Sequence, residues 1–141
     1  MPNPPPPAQA SDAVAVTKRL FAGYALGDDD GVLALVHPES RWFFPGDPAI
    51  LPWAGWWDGR DFKRFLDAVK DALDFLEYTA FEFLPVDEER VVVRCHERCV
   101  CKATGKEIDN HHIGVAIVRD GLVFSWFEYA DTAAWHAGFQ D

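Results

Sequence analysis

The tripeptide Arg119-Asp120-Gly121 sits between two long runs rich in Val, Ile, Phe and aromatic residues, and it constrains the chain more than any other feature. Asp-Gly between such runs specifies a tight hairpin, because glycine supplies the positive φ that the turn needs. Turn chemistry at Thr104-Gly105-Lys106 precedes the first run, and the second ends at Asp131-Thr132, where a carboxylate can cap a short last helix containing Ala133, Ala134 and Trp135. Upstream, Arg90 to Cys101 reads as another long strand, and Tyr78 to Leu84 as an alternating one, with a turn over Pro85 to Glu89. A sheet of consecutive antiparallel strands therefore fills the C-terminal half.

The N-terminal half is helical. Met1 to Ala10 is expected to be a flexible Pro-rich tail, and residues 11–141 a single domain. Ser11 or Asp12 is the expected cap of a first helix, with Val16, Leu20, Phe21 and Tyr24 at helical spacing and Gly27 closing it. Asp28, Asp29 and Asp30 open a short second helix running to Val36, where they suit the positive end of the helix dipole better than a calcium site. His37-Pro38 is expected to end that helix, and Arg41 to Phe44 to form a short strand. Asp47 to Gly59 is expected to be neither helix nor regular strand. It carries Ile50, Leu51, Trp53, Trp56 and Trp57, so it should fold over a pocket as a lid or against a partner. Asp61 caps a third helix with Phe62, Phe65, Leu66, Val69 and Leu73 on its buried face. Helices segregated from a mostly antiparallel sheet define an α+β fold.

Composition excludes several functions. The formal net charge of −10 repels nucleic acid and anionic lipid, so neither is an expected partner. No apolar run approaches membrane-spanning length and the N-terminus lacks the pattern of a signal peptide. Cys95, Cys99 and Cys101, odd in number and close together, are expected to be reduced thiols in a cytoplasmic protein. Six Trp and eleven Phe suggest an apolar chamber or a large interface as well as a core.

Strand alternation assigns faces. Cys95, Glu97, Cys99 and Cys101 share one side of their strand, with His96 and Arg98 on the other. Asn110, His112, Gly114 and Ala116 share one side of the next, and His111, Ile113, Val115 and Ile117 the opposite. Trp126 and Glu128 point together on the last. The face with His112 is small and polar, like a pocket wall; the face with Val115 is β-branched, like a surface between two copies of the chain. A homodimer through that face is expected. Glu97, Glu128 and His112 then form a candidate acid/base set: burial among Trp42, Phe44 and Trp126 would disfavour the charged carboxylate, and the closeness of the two acids would push their proton affinities apart. The structural alternative is that Glu128 and His112 hydrogen-bond each other or Asn110 and fix strand register without chemistry. Cys95, Glu97 and His112 lack a familiar metal-ligand spacing, and no metal or cofactor is expected.

This order of pieces resembles the NTF2-like superfamily, in particular its SnoaL-like branch, which includes polyketide cyclases and relatives of ketosteroid isomerase. The resemblance rests on Gly27-Asp28-Asp29-Asp30-Gly31, Leu51-Pro52-Trp53-Ala54-Gly55, Trp57-Asp58-Gly59-Arg60, Ala103-Thr104-Gly105-Lys106 and the closing Asp120-Gly121 with Trp126 to Asp131. It implies a cone-shaped barrel, a curved mostly antiparallel sheet wrapped around the N-terminal helices, with one deep hydrophobic pocket and usually a dimer across the sheet. Limonene-type epoxide hydrolases place two pocket carboxylates at Glu97 and Glu128, but their arginine falls at Cys95 and their water-holding Tyr and Asn at Trp42 and Phe44. Ketosteroid isomerases place their base at Phe44 and their oxyanion tyrosine near Leu20. Those replacements argue against both activities and leave the cyclases.

Two functional classes follow. One is a cofactor-independent isomerase, cyclase, dehydratase or hydrolase acting by proton transfer on an apolar oxygenated molecule, with Glu128, Glu97 and His112 catalytic. Trp42, Phe44, Trp53, Trp57, Phe62, Cys95, Asn110 and Trp126 would line its pocket. The other is a non-catalytic ligand-binding or dimeric assembly module of the same fold.

Overall fold

The computed structural model describes residues 7–141, with side chains described from Asp12 onward. In chain order the elements are α1 (Pro7–Leu26), α2 (Asp29–Leu33), β1 (Val36–Phe44), β2 (Gly55–Asp58), a 3₁₀ turn (Gly59–Asp61), α3 (Phe62–Ala72), β3 (Leu73–Pro85), β4 (Arg90–Cys101), β5 (Glu107–Arg119), β6 (Leu122–Ala130) and α4 (Thr132–Phe139). The strands form one six-stranded sheet in the order β2-β1-β6-β5-β4-β3. Every pairing is antiparallel except β1 with β6. The fold is α+β with a curved sheet whose ends, β2 and β3, do not meet, so the expected barrel is open.

Several boundaries differ from the sequence expectations. Helix α1 begins at Pro7, ahead of the Ser11 or Asp12 start, because proline is tolerated in a helix's first turn and Ala-Gln-Ala continues it readily. The expected tail over residues 1–6 lies outside the described residues. Helix α2 ends at Leu33 and strand β1 starts at Val36, through His37-Pro38, with an irregular register between Val36 and Arg41. A proline is accommodated in a strand where the ladder is interrupted. Gly55–Asp58 is a strand, although its Pro- and Gly-rich context hides it; Trp57 pairs with Trp42 and Trp56 with Phe43. Leu73 opens β3 rather than closing α3, and β3 is paired along its length with β4.

The hairpin behaves as read. Asp120 and Gly121 both take positive φ, 55° and 72°, and join β5 to β6. Burial alternates strictly along β5 from Glu107 to Ala116 and along β4 from Arg90 to Cys95, so one face of the sheet is covered and the other open. Helix α1 crosses the covered face over β3 to β6, α4 lies against β4 and β5, and α3 bridges β2 and β3. Gly114 allows a close approach that no other residue would: an added Cβ there would stand 2.3 Å from the Trp126 ring. The indole of β6 can therefore lie flat across β5. The acidic run after α1 is structural, as expected. Asp28 caps α2 by accepting the Gly31 N–H at 3.0 Å, and Asp29 ties α2 to α3 through Lys70 at 2.6 Å. Among the described residues, no helix is long and apolar enough to cross a membrane.

Candidate functional site

Between α1, α3 and the covered face of the sheet lies a cavity of about 50 Å³, measured as space for the centre of a water-sized sphere. That admits a few waters or a very small ligand as the chain stands. Its wall is almost entirely apolar and aromatic, with one polar patch made by Glu97, His112 and Glu128. Strand periodicity explains the patch: Glu97 is on β4, His112 on β5 and Glu128 on β6, all pointing to the covered side. The register sets Cys95 opposite His112 and Gly114 opposite Glu128, which staggers the three side chains diagonally across the sheet.

His112 stands between the two acids. Its Nδ1 lies 3.1 Å from Glu128 Oε1 and its Nε2 lies 3.9 Å from Glu97 Oε2. All three residues are buried. The 3.1 Å contact is off the line of the ring N–H, so neither imidazole nitrogen completes an aligned hydrogen bond. Each acid has an indole partner instead: Trp135 donates to Glu97 Oε1 at 2.9 Å, and Trp126 to Glu128 Oε1 at 3.3 Å. Burial raises the Glu97 carboxyl above its ordinary value, Glu128 adding to the rise while His112 and the Trp135 N–H oppose it. Burial works against charging His112, yet the two carboxylates outweigh it, Glu128 first, and the imidazole is raised. The proton affinities of Glu97 and His112 are thus both raised and coupled to each other, at a polar patch facing an apolar space.

Of the expected lining residues, Trp42, Phe44, Trp53, Phe62 and Trp126 face the cavity together with the three polar groups. Trp57, Cys95 and Asn110 do not. Trp57 shares a face with its cross-strand partner Trp42 but lies farther out, on the edge strand β2, where its ring packs on Phe65 and its N–H donates to the Trp53 carbonyl at 2.7 Å. Cys95 is sealed behind Tyr78, whose hydroxyl donates to its sulfur at 3.6 Å; burial pushes the thiol up to about 12, so it is no nucleophile. Asn110 is drawn away by its amide, which donates to the Asp131 carbonyl at 3.1 Å. Trp42 presents its ring alone to the cavity, since its N–H is held by Ser40 at 2.9 Å.

Sequence reasoning missed Tyr24, Phe75, Tyr78 and Trp135, all on the wall. Tyr24 and Tyr78 pack edge to face at 4.9 Å, with Phe75 against both at 6.0 and 5.9 Å. This trio parts the cavity from an outer cleft between α1, α3 and β3 that includes Leu26, Asp29 and Lys70. The helical spacing of Leu20 and Tyr24 was the available signal for one member; Trp135 carried none, since nothing in the short last helix aims its side chain at the sheet.

With this geometry in hand, the chain can be set beside known proteins. Residues 17–126 match the family of the SnoaL-like domain. No protein of curated function matches. Among solved structures, the chain is similar to an NTF2-like protein from Burkholderia xenovorans LB400, at 25% identity and TM-score 0.78 over 92% of this chain and 97% of that one. It is also similar to TerC co-crystallised with polyporic acid, at 22% identity and TM-score 0.79 over 92% and 99%. A candidate polyketide cyclase from Xanthomonas campestris pv. campestris shares the fold at 15% identity and TM-score 0.75 over 94% and 99%.

Proposed function

The chain belongs to the SnoaL-like family, and from that premise we propose that its cavity receives a small, mainly apolar, oxygen-bearing molecule and moves a proton on it with the chain's own acid and base groups. The observation that carries this reading is the placement of His112 between two buried carboxylates, with neither ring nitrogen in an aligned hydrogen bond. A network serving strand register alone would satisfy that imidazole. The neighbour crystallised with polyporic acid and the candidate cyclase support a small-molecule role for such a cavity.

In this reading Glu128 takes a proton from the substrate and Glu97, whose proton affinity burial raises, returns one to a substrate oxygen or carbon. His112 orients the oxygen and relays between them. One proton leaves and one is supplied, so the net change is an isomerisation, cyclisation or dehydration. The cavity is small as it stands, so a ligand of several rings would enter only with movement of α1 or of the β3 aromatics.

A second reading rests on the two indole donors. Because Trp126 and Trp135 each satisfy one acid, the patch could hold a bound ligand's hydroxyl and do nothing further. The test begins with native mass spectrometry and extraction of the protein to find a pocket occupant. With that compound, Glu128→Gln should keep fold and affinity while turnover falls by about a hundredfold or more. Full turnover in Glu128→Gln refutes the assignment. Normal binding by Glu97→Gln and Glu128→Gln, with no turnover in the parent, establishes the binding module.

A further inference from the structure

A second cluster of donor side chains lies on the open face of the sheet, away from the cavity. His96 on β4 stands directly opposite His111 on β5, and Asp109 precedes His111 by one strand period on the same face. The two imidazoles stack with centroids 4.5 Å apart and an interplanar angle of 25°. His96 Nε2 lies 2.7 Å from Asp109 Oδ1. One ligand atom from each of the three residues lies within 4.8 Å of the other two.

We propose that His96, Asp109 and His111 form a binding site for a divalent transition-metal ion of the zinc type. Two imidazoles and one carboxylate are the donor set such ions take, whereas calcium and magnesium prefer oxygen ligands alone. A tetrahedral site with bonds of about 2.0 Å separates its ligand atoms by roughly 3.3 Å. Reaching that value from the present spacing, within 4.8 Å, requires the exposed His111 ring to unstack from His96 and the His96–Asp109 contact to open slightly. The ion would replace the hydrogen bond between those two groups.

The backbone holds this set in place. His96 and His111 sit mid-ladder, flanked by the Cys95–His112 and Glu97–Asn110 pairs, so their separation cannot drift. The cation that would compete for Asp109 is occupied elsewhere: Arg98, its cross-strand partner, binds Glu107 at 2.6 Å and reaches Glu77 at 3.9 Å. The net charge of −10 further favours a cation. Three protein donors leave a fourth position for water or an incoming ligand. The sequence expectation of no metal considered Cys95, Glu97 and His112, which are on the other face of the same strands.

The test uses the untagged full-length chain after removal of bound metal by chelation. Titration with Zn²⁺ by calorimetry, and with Co²⁺ by visible absorption, should show one ion per chain and the intense bands of a tetrahedral cobalt site. Asp109→Asn, nearly identical in shape, and His111→Ala should each weaken Zn²⁺ binding by about tenfold or more. Zn²⁺ should raise the melting temperature of the parent and leave that of a His96→Ala, His111→Ala double variant unchanged. Absence of saturable binding in the parent, or uptake that persists undiminished in the double variant, overturns the proposal.

Discussion

Trp135 donates its indole N–H to Glu97 Oε1 across 2.9 Å, linking α4 to β4 through the interior. The last helix is thereby part of the site and not merely a terminal cap. Asp131 starts that helix by accepting the Ala134 N–H at 3.2 Å, and Gly138 lets it sit close over Ile108.

Replacing Trp135 by Phe removes the donor and leaves a buried carboxyl oxygen without its partner. The cost should be about 1–3 kcal/mol, read as a shift in the urea midpoint. Because that N–H opposes the rise in the Glu97 proton affinity, its loss should raise it further, which titration of the Glu97 carboxyl by NMR would detect. An unmoved titration with unchanged stability contradicts the link.

Glu97 also predicts a pH dependence. Its folded proton affinity is raised above the unfolded value near 4.3, so the protonated acid is the form the fold prefers. Relative to Glu97→Gln, the parent should hold its full stability below about pH 4.3 and lose it as pH rises through the folded value. His112 acts with the same sign, its contribution present below about 6.5 and lost as pH passes its raised folded value. Chemical denaturation of parent and variant from pH 4 upward measures both; a difference that is flat with pH excludes the buried acid.

The aromatic trio predicts where ligands pass. Phe75 is 37% exposed and stands with Tyr24 and Tyr78 between the outer cleft and the cavity. Phe75→Ala should speed both uptake and release of an apolar fluorescent probe by several-fold in stopped-flow, with little change in Kd. The loop expected to act as a lid, residues 47–57, is partly built into the core. Its Leu51 and Trp53 are buried, and its Asp47 N–H donates to His136 Nε2 at 3.1 Å. Unchanged probe kinetics in Phe75→Ala, with faster uptake on loosening that loop, would return the mouth to it.

The open face predicts assembly. Ile113 is 41% and Tyr129 63% exposed, with Val115 beside them, Phe43 stacked on Phe127 nearby and Trp56 edge-on to Phe127. A homodimer through this face should give way to monomer in Val115→Glu, since an unpaired charge would be buried between copies. Sedimentation at micromolar concentration checks it, and a monomeric parent would remove the expectation.

What the sequence determined by itself is whatever local periodicity and turn chemistry can specify. Strict alternation from Glu107 to Ala116 and the Asp120-Gly121 turn fixed which side chains of β4, β5 and β6 share a face, and so brought Glu97, His112 and Glu128 together on paper. The same alternation placed His96 and His111 outside. Tertiary structure alone decided the rest, because it depends on groups far apart in the chain competing for the same partners. Asn110 and Cys95 share the polar face by pattern, yet the Asp131 carbonyl and the Tyr78 hydroxyl claim them first. Gly55–Asp58 pairs with β1 at the edge of the sheet, and there Trp57 packs on Phe65 behind the cavity wall instead of lining it. Trp135 reached Glu97 across 38 residues, a contact that no local pattern encodes.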